Sequence, residues 1–365
     1  MSVQPSKPPT ISGPLGNANK LKLATFASNC EGIIATPKLS WPETSWAAQY
    51  ADDLGFEALI PLSRWRGERG QRAYDTLTWA AGIAALTKQA MVFSTVDMSV
   101  VHPAVAAKQL TTIDHISNGR AGANLVAGWY RAEAEMFGGE LLEHDARYDR
   151  ADEWTQILFD LWTRPEFEEI DFSGDYYTMK AGFSSPQPIQ RPYPPIMNAG
   201  SSPRSHDYLV THADIAFQPG TQLVDAESAR AQIQELKSRA AGLGRQLQIF
   251  SYVAVFGYDT EAEAQEKFET YRLENYTGED RERYYEQVRA ETRALAADPS
   301  AYQNRTLGIA IAICGTPESI AEQFLALSDL GIDGLLVTWP DWRYGLPYFE
   351  REIMPRLAEA KLRIR

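Results

Sequence analysis

From Leu21 onward the chain alternates short apolar runs with longer amphipathic or Ala-rich segments. The apolar runs fall at 22–28, 58–62, 91–98, 123–129, 195–200, 214–218, 249–255 and 334–339. They lack the strict in-out alternation of a half-exposed strand, as expected of parallel strands covered on both faces. Helical patterns lie at 41–54, 76–86, 103–116, 149–162, 203–212, 227–242, 261–271, 317–330 and 347–361. Pro103 opens one of them, where its missing N–H costs nothing. Eight strand-then-helix units predict an α/β fold, a closed (β/α)8 TIM barrel rather than an open doubly wound sheet.

Two stretches break the alternation. Residues 164–179 read as a small inserted hairpin around Ser173-Gly174-Asp175, and the charged, Tyr-rich 274–306 as a helical excursion over the active-site face. Residues 1–20, rich in Pro, Gly, Ser and Asn, cannot fold alone. They are expected to form a loose arm, or one draped over the body or a partner subunit. Residues 21–365 then make one domain.

A net charge of −13 leaves no basic face for nucleic acid or anionic membrane. No apolar run approaches the roughly 18 residues needed to span a bilayer, and the N-terminus has no secretory apolar core. Cys30 and Cys314 give neither a disulfide framework nor a CxxC pair, so a reducing cytoplasm is expected.

In a barrel the reactive groups stand at the C-terminal strand ends. Here those ends carry amides, hydroxyls and indoles, with few carboxylates and no histidine cluster. Paired-carboxylate hydrolysis and a metal site are therefore poorly supported. The five histidines read as surface or capping residues, His144 on a loop among them. Asn124, a lone amide in an apolar run, costs roughly 1–3 kcal/mol unless it finds a partner. That partner is either a ligand or a neighbouring loop. Asn198-Ala199-Gly200-Ser201-Ser202-Pro203 runs from a strand into a helix started by Pro203, and reads as an anion cradle or as an ordinary Ser N-cap. Neither GxGxxG nor GxxxxGK[ST] is present, so a bound cofactor should be a mononucleotide with one phosphate and a flat ring.

The ordered set Ala106-Ala107-Lys108-Gln109-Leu110-Thr111-Thr112-Ile113-Asp114, Ser117-Asn118-Gly119-Arg120, Asn124 to Trp129, His144-Asp145-Ala146-Arg147-Tyr148, Phe172 to Tyr177, Pro186-Gln187-Pro188 and Ala199 to Ser202 resembles the luciferase-like flavin-dependent monooxygenases. The resemblance runs from about residue 22 to the C-terminus and is nearest the branch of the pyrimidine and dimethylsulfone monooxygenases. It implies reduced FMN delivered by a separate NAD(P)H:flavin reductase, reaction with O2, a small neutral substrate cleaved at a C–N or C–S bond, and a homodimer or homotetramer. A deazaflavin-dependent hydride-transfer enzyme and a non-catalytic flavin-binding protein are the alternatives on the same barrel. By resemblance, Thr95 and Asn124 hold dioxygen beside the flavin, while Tyr148, Ser201 and Ser202 contact its phosphate. Ala58, Ala199 and Gly200 complete the cofactor site. Arg64, Trp65, Trp129, Trp339 and Trp342 would surround the substrate, although such aromatics also serve as plain core. Ser251 and Val253 stand where alkanesulfonate relatives carry Arg and His, which argues against an anionic sulfonate.

Overall fold

The computed structural model describes residues 13–32, 38–67, 71–223, 225–275 and 306–364. Eight parallel strands close a barrel: β1 (Lys22–Phe26), β2 (Ala58–Ile60), β3 (Met91–Asp97), β4 (Ala121–Val126), β5 (Ile196–Asn198), β6 (Ile215–Gln218), β7 (Gln248–Gly257) and β8 (Gly334–Thr338). Each pairs with the next, and β8 returns to β1 with Lys22 opposite Gly334. The helices outside are α1 (Trp41–Asp53), α2 (Thr76–Leu86), α3 (Pro103–Ile116), α4 (His144–Thr163), α5 (Pro203–His212), α6 (Ala226–Gly242), α7 (Glu261–Asn275) and α8 (Pro317–Asp329). Four of them, α1, α3, α5 and α8, carry Pro in the first turn behind a capping side chain, so the chain writes these boundaries locally.

The barrel has two apolar layers. Phe26, Phe93, Met197, Phe217, Phe250 and Tyr252 fill its interior, while Leu23, Val92, Leu125, Ile249, Val253 and Leu335 pack outward against the helices. Space for the inner rings comes from glycines on the neighbouring strand. Phe93 lies opposite Gly122 and Phe250 opposite Gly334. A Cβ at either glycine would fall 2.6 Å or 2.4 Å from the phenyl ring.

The N-terminal end is closed by residues assigned to the arm. Residues 13–20 lie on the body, with Leu15 fully buried and its carbonyl accepting from Gln248 Nε2 at 3.0 Å. Asn17 and Asn19 donate to Glu57 Oε1 at 2.8 Å and 2.5 Å. Glu57 Oε2 accepts Leu23 N at 2.7 Å and Arg363 Nη1 at 2.8 Å. Both charged side chains are 1% exposed.

Several boundaries differ from the sequence reading. The strand expected at 123–129 spans 121–126, because Gly128 (φ +82°) turns the chain beside Asp97 and Ser99. Helix α4 begins at His144, five residues earlier than expected, on a Glu143 cap that makes no side-chain bond. His144 is therefore a buried helical residue, not a loop one. An extra strand, Ala310–Gly315, runs parallel to the far half of β7. The last helical region starts at Trp342, with Asp341 as its cap, and widens into a π turn at Phe349–Ile353. The hairpin exists as Ile170–Ser173 paired with Thr178–Gly182, its turn held by Glu153 oxygens accepting the N–H groups of Asp175, Tyr176 and Tyr177. Most of the expected 274–306 excursion lies outside the described residues. Among those residues no helix is long and apolar enough to cross a membrane.

Removing one partner of a buried ion pair strands the other charge, at a cost of about 3–5 kcal/mol. Glu57→Ala and Arg363→Met are each expected to lose stability on that scale in urea unfolding. A loss below about 1 kcal/mol would show that the pair is not what seals the barrel end.

Candidate active site

At the opposite, C-terminal mouth, the ends of β2, β3 and β4 form the most constrained polar arrangement. Thr95 and Asn124 stand opposite each other in register. They share an inward phase with Phe93, so they sit on top of the aromatic plug. The Thr95 hydroxyl is 2.5 Å from the carbonyl oxygen of Pro61. A carbonyl can only accept, so Thr95 must donate, and its lone pair receives Asn124 Nδ2 at 3.0 Å. This relay fixes the amide orientation without appeal to hydrogen positions. Among the described residues Asn124 Oδ1 is left buried and unpartnered, on a residue 3% exposed.

A second element lies between β5 and α5. A Cβ on Gly200 would come within 2.4 Å of Ser205 Cβ and 2.9 Å of Tyr148 Oη, so no side chain fits there. Ser202 caps α5 in a reciprocal arrangement with Ser205, accepting its N–H at 3.2 Å. The N-cap alternative therefore describes what its side chain does. Ser201 is half-buried beside it. Tyr148, on the second turn of α4, is buried, and burial pushes its phenol up to about 12, which keeps it a neutral O–H. Arg204 lies 5.9 Å over the Tyr148 ring and is held by Asp149 and Asp152 at 2.9 Å and 2.5 Å. Two strand-end amides not assigned a role from sequence also converge here. Asn198 Nδ2 donates to Leu125 O at 2.5 Å and Gln218 Nε2 to Gly200 O at 3.3 Å, while both side-chain oxygens stay buried and unpartnered. Their position after the apolar part of a strand was the available signal.

The rim beyond β2 and β4 gathers Arg64, Trp65, Trp129 and Tyr130. The Arg64 guanidinium lies 5.1 Å and 5.3 Å over the rings of Trp129 and Tyr130. Trp65 is 40% exposed and meets Phe137 edge-on at 5.3 Å. Ala58 faces the interior but stands at the N-terminal end of β2, opposite Met91 and below Phe93, so it is not brought to this mouth, whereas Ala199 packs half-buried against the inner cluster. Trp339 and Trp342 are not brought to this rim. They pack on the outer layer against each other at 5.2 Å, with Trp339 also meeting Phe56 at 6.3 Å and Phe349 at 5.6 Å. Ser251 and Val253 also turn away from the interior, since Phe250, Tyr252 and Ala254 occupy the inward phase of β7. Ser251 Oγ donates to Gln218 O at 2.9 Å. The expectation that these two positions decide against an anion is corrected: neither side chain faces the mouth.

Residues 21–334 match the family model described as luciferase-like monooxygenase, and the chain belongs to that family. It is 29% identical over 357 residues to the FMNH(2)-dependent dimethylsulfone monooxygenase of Pseudomonas putida, covering 93% of this chain and 96% of that protein. It is 31% identical over 333 residues to the pyrimidine monooxygenase RutA of Caulobacter vibrioides, covering 86% and 90%. Among solved structures, long-chain alkane monooxygenase superposes with a TM-score of 0.79 at 23% identity, covering 94% of this chain and 92% of that one. That likeness is one of fold.

Gly200→Ala is expected to lower the melting temperature by a few degrees, since overpacking costs about 1–3 kcal/mol. A scanning-calorimetry midpoint equal to wild type would show that the cradle gives way freely.

Proposed function

We propose that this chain is a reduced-FMN-dependent monooxygenase that uses O2 to cleave a C–N bond of an amide-like heterocycle or a C–S bond of a sulfone-like molecule. The observation that carries the reading is the locked Asn124 amide, a buried acceptor held open at the barrel mouth by Thr95 and Pro61. The residues present fit the cofactor. Tyr148, Ser201, Gly200 and the first backbone N–H groups of α5 would hold one phosphate, with the helix N-terminus favouring the anion. Ala199 is small enough to leave room for a flat ring.

When bound, reduced flavin supplies the two electrons that activate dioxygen. The chain's own contribution is position and dryness. The aromatic plug excludes water from below, which strengthens polar contacts made above it. Asn124 keeps one amide N–H and its oxygen for the reacting partners. Thr95, its proton already given to Pro61, acts as a positioning residue that orients the amide rather than as a contact to oxygen. A separate NAD(P)H:flavin reductase would deliver the cofactor, and the chain is expected to assemble as a homodimer or tetramer in the cytoplasm.

The test couples purified protein to a generic flavin reductase with FMN, NADH and either uracil or dimethyl sulfone. Substrate-dependent oxygen uptake with product is expected. No product from either, with turnover seen only with a deazaflavin, would move the assignment to hydride transfer. Oxidised FMN retained through gel filtration without turnover would move it to flavin storage.

Asn124→Ala is expected to lower coupled product formation by roughly 10²–10³, the scale of one lost donor to developing charge, with a melting temperature near wild type. Thr95→Val should lose activity and Thr95→Ser should restore it. Wild-type turnover in Asn124→Ala would end the assignment.

A further inference from the structure

Arg64 is a buried cation whose hydrogen-bonding capacity is little used among the described residues. Its side chain is 7% exposed and its Nε is buried without a partner. Its ion contact among the described residues is a long one, 3.5 Å from Nη1 to Glu133 Oε1. That oxygen is already occupied, accepting the N–H groups of Trp65 at 2.8 Å and Arg66 at 3.2 Å. The other nearby carboxylate, Asp97, accepts Ser99 N at 2.8 Å and Ser99 Oγ at 2.6 Å. Burial pushes both carboxyls above their ordinary range, which weakens them further as counter-ions. Arg150 also faces Asp97, so the cluster has as many cations as acids.

Buried guanidinium groups are normally satisfied, because leaving a charged donor unpaired is costly. This one lies instead over the ring faces of Trp129 and Tyr130. It stands three residues past Pro61, whose carbonyl anchors the Thr95–Asn124 relay, and so belongs to the same quadrant of the mouth. A planar fork of N–H donors matches two oxygens carried on one centre.

We propose that Arg64 is the substrate-docking residue, and that the substrate presents a paired-oxygen group, sulfonyl or carboxylate, to its guanidinium. This rests on the oxygenase reading above and narrows its substrate. It disfavours hydrocarbons, which offer the guanidinium nothing.

The test measures binding of dimethyl sulfone, methanesulfonate and acetate by quenching of tryptophan fluorescence, Trp129 being the reporter. Dimethyl sulfide, the sulfone's skeleton without its oxygens, is the control. The proteins are wild type, Arg64→Met and Arg64→Lys, with FMN affinity titrated separately in each. Wild type should bind at least one oxygen-bearing probe about tenfold or more tightly than the sulfide, as expected of hydrogen bonds to a charged group. Arg64→Met should lose that preference, Arg64→Lys should keep part of it, and FMN affinity should stay within about twofold. Which probe binds best separates a neutral sulfonyl from an anionic group. Equal preference in wild type and Arg64→Met, or no preference over the sulfide in wild type, overturns the proposal. If Arg64→Met fails to fold by circular dichroism, an unaltered preference in Arg64→Lys overturns it instead. Failure of FMN to bind any of the three proteins counts against the oxygenase reading and leaves the probe result to stand alone.

Discussion

One carboxylate holds this barrel shut. Glu57 sits at the N-terminal end of β2 and receives four donors from the two ends of the chain: Asn17, Asn19 and the backbone of Leu23 from one, and Arg363 from the other. Arg363 in turn donates to Leu21 O and Gly55 O. The start of β1 and the C-terminal tail are therefore bound to the same charge. Closure at that end determines how far apart the strand ends stand at the other, which is where the chemistry is placed.

The mouth inherits this rigidity. The Pro61–Thr95–Asn124 relay links three consecutive strand ends, so its geometry is set by the sheet and not by a loop. The Gly200 cradle works differently: helix α5 begins immediately after it, and Tyr148 reaches it from the side of α4. On the proposed reading, a cofactor there would meet sheet, helix terminus and helix flank together.

The sequence was most legible where the causes are local. Strand runs are apolar because both faces are covered, and the Pro-started helices announce their own first turns. Asn124 stood out because an amide inside such a run needs a partner. Harder to see were features set by distant neighbours. Helix α4 carries no capping side chain, so its first turn, and the helical setting of Tyr148, left no mark. The inward phase of β7 is written in Phe250, Tyr252 and Ala254, yet reading Ser251 and Val253 by correspondence alone set them on the wrong face. Trp339 and Trp342 have the composition of a pocket and the packing of a core, a difference only tertiary contacts reveal. The strand at 310–315 was hidden because it borders the charged stretch and pairs with a strand far upstream.

The phenyl–glycine pairs inside the barrel also determine what lies beneath the mouth. With Phe26, Phe93, Phe217, Phe250 and Tyr252 filling the lumen, the barrel has a floor beneath its mouth among the described residues. Anything bound at the mouth therefore rests on rings seated against glycines rather than on an open channel.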